Sequence, residues 1–191
     1  MKDFRNFIPT KAIETIEYWL NKHQCQLSIK PPRKTKLGDY KFDKGKHCIS
    51  INDNLNPYSF LITLTHEIAH MVVKDTYPHP VLPHGKEWKL TFRNLMLPLL
   101  EVFPSEIQKP LARHLKNPKA SSSADYTLLA SLKLFDKEKK VTISDIPNGT
   151  VFFTHNGRQF LKEKKLRRRF QCKCLTNNRT YVFNPFAEIT L

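Results

Sequence analysis

Ile13, Ile16, Trp19 and Leu20 recur at helical spacing within residues 9–23, which predicts an amphipathic helix. Residues 26–30 and 47–52 alternate apolar and polar positions with period two, so two strands are predicted around a basic loop over 31–39. Asn56-Pro57 opens the next helix. The asparagine oxygen can cap it, and a proline at the first helical position gives up no needed N–H. That helix should reach about Lys74, because the proline-studded segment 75–83 cannot continue it. Two more helices are predicted over 86–100 and 105–115, with Ser105 as the cap of the second.

Residues 116–124 are small, polar and aperiodic, which is the composition of a linker. After a short apolar stretch at 128–135 the pattern changes. Short β-prone runs at 141–144, 150–154, 158–161, 169–172 and 180–183 are separated by Pro147-Asn148-Gly149, Asn156-Gly157 and Asn177-Asn178. The predicted organisation is therefore α+β: a helical domain with a small sheet over 1–118, a linker over 119–127, and a small basic all-β domain over 128–191, built as a sandwich or barrel. No internal repeat is visible.

The chain of 191 residues is long enough for one ordinary core and a second, thinner one. Lys and Arg outnumber Asp and Glu by 32 to 17, a net +15 that points to a polyanionic partner, against the plainer reading of charge kept for solubility. Cys25, Cys48, Cys172 and Cys174 have no disulfide-framework spacing, and no secretory or membrane-spanning pattern is present, so a soluble cytoplasmic protein with reduced thiols is expected.

Thr65-His66-Glu67-Ile68-Ala69-His70 lies within the helix predicted from Pro57. Residues four apart sit one above the other on a helix face, so both imidazoles can reach one metal while Glu67 is offset toward a water on it. Leu61, Ile62, Leu64, Ile68 and Ala69 make this a buried type of helix, in which unpaired histidines and a glutamate would be costly. A catalytic zinc needs a third protein ligand and an open position. The metzincin pattern is excluded because positions 73 and 76 hold Val73 and Thr76 rather than glycine and histidine. The candidates are His79, His84, Glu87 and Glu101. His84 is best placed, since Pro83-His84-Gly85 can turn the chain back, and Glu87 suits a first-turn or ligand-orienting role better.

The pairing of His66-Glu67-Ile68-Ala69-His70 with Pro83-His84-Gly85-Lys86-Glu87-Trp88 resembles the SprT-like metalloprotease family, which includes a eukaryotic DNA–protein crosslink protease. Arg33-Lys34-Thr35-Lys36-Leu37-Gly38-Asp39-Tyr40 and Ile49-Ser50-Ile51-Asn52 resemble segments that precede the motif there, and the likeness covers about residues 1–115. It implies a zincin-like domain with one catalytic zinc on His66, His70 and His84, Glu67 as general base, and activity tied to DNA repair, nucleoid-associated if the source is bacterial. Many members end in a zinc ribbon with two cysteine pairs. Only Cys172-Lys173-Cys174 is present here, so no ribbon zinc is expected.

Residues 162–169 hold six basic side chains and end next to Phe170. Lys164, Lys165, Arg167, Arg168 and Arg169 are predicted to neutralise phosphates, with Phe170 stacking on an unpaired base of single-stranded DNA. Arg33, Lys34 and Lys36 form a second, smaller patch. Tyr40, Tyr77, His79 and Lys86 are candidates for stabilising an oxyanion. The expected activity is a zinc endopeptidase on DNA-associated proteins. The alternatives are a metal-bound, non-proteolytic nucleic-acid or regulatory adaptor, and a peptidase recruited to RNA or acidic proteins.

Overall fold

The structure, a computed structural model, describes residues 2–33, 35–120 and 125–191. It divides into two compact units, Met1–Lys137 and Glu138–Leu191. No helix among the described residues is long and apolar enough to cross a membrane.

The first unit runs α1 (Ile13–Lys22), β1 (Gln26–Lys30), β2 (Gly38–Asp43), β3 (Lys46–Asn52), α2 (Pro57–Thr76), α3 (Lys86–Met96), α4 (Ser105–Leu115) and α5 (Tyr126–Lys133). Its sheet has the order β1-β3-β2, with β1 parallel and β2 antiparallel to β3. The β2 strand was not predicted. It forms because Lys44 and Gly45 both take positive φ, 48° and 77°, in the two-residue turn that closes the Asp43 and Lys46 pair. The result is an edge strand alongside α2.

Helix α2 is the centre of this unit. Asn56 accepts from the N–H groups of Tyr58 and Ser59 at 3.1 and 2.9 Å, and Phe60, Leu61, Ile62, Leu64, Ile68, Ala69, Met71 and Val73 are all buried. A helix apolar almost all round must be covered on several sides. Here β2 and β3 cover one side and α3 another, through Trp88, Phe92 and Met96 at four-residue spacing. Helix α3 stops at Met96 rather than 100 because Pro98 cannot donate to the ladder, and a 3-10 turn, Leu97–Val102, follows.

The boundary expected at 118 lies instead between Lys137 and Glu138. Asp125 caps α5 by accepting from Leu128 N, and Leu128 and Leu132, four apart, bury their side chains in the main core. Part of the expected linker is thus an integral helix, while residues 121–124 of it lie outside the described residues.

The second unit is one four-stranded antiparallel sheet, β4 (Val151–Phe153), β5 (Gln159–Lys165), β6 (Phe170–Cys174) and β7 (Thr180–Phe183), in that order. It is neither a sandwich nor a barrel. The run at 141–144 is a single bridge at Thr142 followed by a 3-10 turn, Ile143–Asp145, closed by reciprocal bonds between Thr142 and Asp145. Phe152, Phe160, Phe170, Cys172 and Cys174 fill the core with Ile143 and Ile146. All four cysteines of the chain are free.

Candidate metal centre

His66 and His70 stand one turn apart on α2, and their Nε2 atoms are 3.3 Å from each other. The third imidazole comes from the tight turn after the proline-rich loop. Gly85 N donates to Leu82 O at 2.9 Å, which places Pro83 and His84 at the centre of a four-residue turn. His84 takes φ 57° there, a left-handed conformation uncommon for a residue with a side chain and frequent where function holds it. Gly85 has no substitute: a Cβ on it would lie 2.8 Å from Leu82 O. The turn aims His84 Nε2 to 3.0 Å from both His66 and His70 Nε2.

Trp88, on the first turn of α3, backs all three rings, with centroid separations of 4.5 Å to His66, 5.4 Å to His70 and 4.7 Å to His84. Its indole Nε1 donates to His66 O at 3.4 Å, and it stacks on Phe92 at 5.0 Å. Trp88 is fully buried, and its contact with the triad gives it a positioning role.

Three imidazoles at this spacing cannot satisfy one another, because each neutral Nε2 is either a donor or an acceptor and each faces two others. Nitrogens about 2.0–2.1 Å from one tetrahedral ion lie about 3.3 Å apart, so the observed separations fit a single shared cation. Burial, then the neighbouring histidines, pushes His66 down to about 3, and burial followed by His84 pushes His70 down to about 4. Burial also lowers His84. All three rings are therefore neutral near pH 7, the form that binds a metal.

Glu67 faces the same cavity, about 630 Å³, which also takes in His66, His70, His84, Tyr40 and Thr63. The residue is 8% exposed, and its carboxyl is pushed up to about 7, chiefly by burial and next by Asp39, against the opposing pull of Arg33 and Lys36. Gly38 on β2 permits this approach: a Cβ there would lie 2.6 Å from Glu67 Oε1. The sequence showed Gly38 only within the segment that resembles the family and not its closeness to Glu67, because that contact arises between two elements far apart in the chain.

Compared with family models, the chain matches the SprT-like family over residues 10–107, more than half its length. The chain belongs to the SprT-like family. This is a family of metallopeptidase type, and the matched SprT-like segment contains all three histidines and Glu67. None of the curated proteins and none of the solved structures compared with this SprT-like chain matches it.

The structure treats the basic candidates unequally. Arg33 is half-buried and committed within the unit, donating to Asn52 Oδ1 at 2.7 Å, Ser50 Oγ at 3.0 Å and Ser50 O at 3.1 Å. Lys36 pairs with Asp39 at 2.9 Å, and Lys34 lies outside the described residues. Arg33 thus holds the loop before β2 in place and is a poor phosphate ligand. In the second unit Lys164, Lys165, Arg167, Arg168 and Arg169 are exposed around the β5–β6 turn. Phe170 is 7% exposed in the core, which removes it as a stacking residue. Lys162 is also buried, donating to Ile143 O and Ile146 O with its ammonium 3.8 Å from the Phe170 ring centroid.

Two further groups border the metal site. His114 of α4 lines the cavity from its buried position and pairs with Asp125 at 3.4 Å. Tyr40 lies parallel to His70 at 6.4 Å, and its hydroxyl meets His47 Nδ1 at 2.9 Å. His47 Nε2 in turn meets Asp75 Oδ1 at 3.0 Å, and Asp75 Oδ2 holds His23. Among the oxyanion candidates read from the sequence, Tyr40 lines this cavity, while Tyr77 and His79 line an adjoining one.

Proposed function

We propose that the chain is a zinc-dependent endopeptidase of zincin-like organisation that acts on proteins associated with DNA, DNA–protein crosslinks among them. The observation that carries this reading is the convergence of three neutral imidazole nitrogens beside a buried carboxylate in one open cavity. Three nitrogen donors with an open fourth position match the donor set of catalytic zinc sites, and a pure binding module has no use for the carboxylate. Zinc, when bound, supplies Lewis acidity and lowers the pKa of water toward neutrality.

Glu67 accepts the proton of the attacking water at its carboxylate and delivers it to the leaving amine. Burial raises this carboxyl above its ordinary range in the metal-free chain, which favours its taking up a proton before passing it on. Trp88 fixes the plane of the imidazoles, and Gly38 leaves room for the carboxylate beside them. Charge supports the choice of partner: residues 138–191 carry eleven basic and four acidic side chains, with five basic ones exposed around the β5–β6 turn.

The test measures metal content and proteolysis of a DNA-bound protein, with and without single-stranded DNA. Purified protein should hold one zinc per chain, and Glu67→Gln should keep it while lowering cleavage by about 10²–10⁴-fold. Stoichiometric metal with no cleavage under any condition would leave the adaptor reading in place. In the same system, Arg167→Ala, Arg168→Ala and Arg169→Ala together should reduce the salt dependence of single-strand binding by a log–log slope of about 2. An unchanged slope would move the DNA contact elsewhere, and stronger binding to RNA would redirect the partner.

A further inference from the structure

A second cavity, about 370 Å³, adjoins the metal cavity and shares the Tyr40 and His70 wall with it. Its other walls are Val73 from the last turns of α2, Trp88 from α3, and Tyr77, Val81 and Leu82 from the loop leading to His84. Three prolines, Pro78, Pro80 and Pro83, also face it and restrict that loop to few backbone conformations. The wall is therefore preformed, and one loop sets both the cavity and the position of His84. Lys74, the one lysine on the lining, directs its ammonium 5.3 Å from the Phe42 ring centroid. His79 stands at the exposed rim. Tyr40 is braced as the dividing wall through His47, Asp75 and His23.

An apolar recess walled in part by the candidate metal ligand His70 suits one kind of occupant. A peptide whose carbonyl lies at the metal centre places the side chain of an adjoining residue within reach of it, and transfer of an apolar side chain from water into such walls is favourable while transfer of a charged one is not. We infer that this cavity is a specificity subsite, receiving an apolar side chain of about leucine to phenylalanine size from the residue next to the bond that is cut. The inference rests on the peptidase reading and adds a substrate preference to it. It also accounts for the proline-rich composition of 77–83, which the metal site alone does not require.

The test uses the full metal-loaded chain and two unstructured peptides that differ only in leucine or serine beside a single cleavable bond. Binding is measured by tryptophan fluorescence in the Glu67→Gln protein, and cleavage by mass spectrometry in the unaltered one. The leucine peptide should bind about tenfold or more tightly than the serine peptide and be cut preferentially. Val81→Trp, which fills the cavity from the half-buried loop, should erase the binding preference, with metal content measured alongside to show that His84 keeps its place. Val73→Ala, which enlarges it from α2, should shift the preference toward phenylalanine. Equal binding of the two peptides, or a leucine preference untouched by both variants, overturns the subsite. A binding preference without any cleavage sinks the peptidase reading and leaves the cavity as an apolar peptide site, so the two failures are distinct.

Discussion

His66, His70 and Glu67 are ionisable groups placed where water is scarce, and each resists its charged form for that reason. The two histidines sit at about 3 and about 4, below the ordinary 6.5, so their contribution to folding is complete above 6.5 and is lost as the pH falls toward those values. Glu67 acts in the opposite direction. Its folded value of about 7 exceeds the ordinary 4.5, so its contribution is complete below 4.5 and lost as the pH rises through 7. In chelator-treated protein, the melting-temperature advantage of Glu67→Gln over the unaltered chain should therefore grow between pH 4.5 and 7 and then level off. An advantage independent of pH would show that the carboxyl is well solvated. The same desolvation explains why a bound cation matters here, since it satisfies lone pairs that the protein leaves facing one another.

Helix α2 carries the site, and Asn56 does two jobs at its start. Its oxygen caps Tyr58 and Ser59 N–H, while its Nδ2 donates to Leu132 O at 3.0 Å and Asp136 Oδ1 at 2.5 Å, joining α2 to the end of α5. Asn56→Ala removes both sets of bonds at a 4% exposed position and should cost about 1–3 kcal/mol in denaturant unfolding. Asn56→Asp keeps the capping oxygen but sets a carboxylate against Asp136, so it should recover only part of that loss. The cap was legible in the sequence, whereas the link to α5 was not, because its partners are 76 and 80 residues away. Strand β2 escaped notice for a similar reason. Half of it is exposed, and its pairing depends on β3 and on a turn that starts with a lysine at positive φ.

Between its two units the chain distributes burial unevenly. The second unit has a small core, and the first extends to Lys137 because α5 is needed to cover it. Leu128 and Leu132 are 0% and 2% exposed, and burying two such side chains is worth roughly 3–6 kcal/mol. A fragment of residues 1–137 should unfold cooperatively and bind one metal, while a fragment ending at 118 should show a clearly lower urea midpoint by circular dichroism. Equal midpoints would mean that α5 contributes nothing to the core. The densest run of exposed basic side chains, Lys164, Lys165, Arg167, Arg168 and Arg169, lies outside the unit that holds the histidines, while other exposed lysines are spread over both units, which is why composition alone pointed to a polyanion without locating its contact surface.

The sequence by itself determined what depends on short-range geometry. Two histidines four residues apart on an apolar helix must share a face, and a glutamate after the first must lie beside them, so these positions needed no fold to be read. The tertiary structure decided what depends on distant segments meeting: the direction of the His84 ring, the Trp88 wall behind it, the room Gly38 leaves for Glu67, the commitment of Arg33 to Ser50 and Asn52, and the burial of Phe170. The physical reason is that helical spacing is written into the backbone repeat, whereas exposure and pairing are set by whichever surface the rest of the chain brings against a side chain.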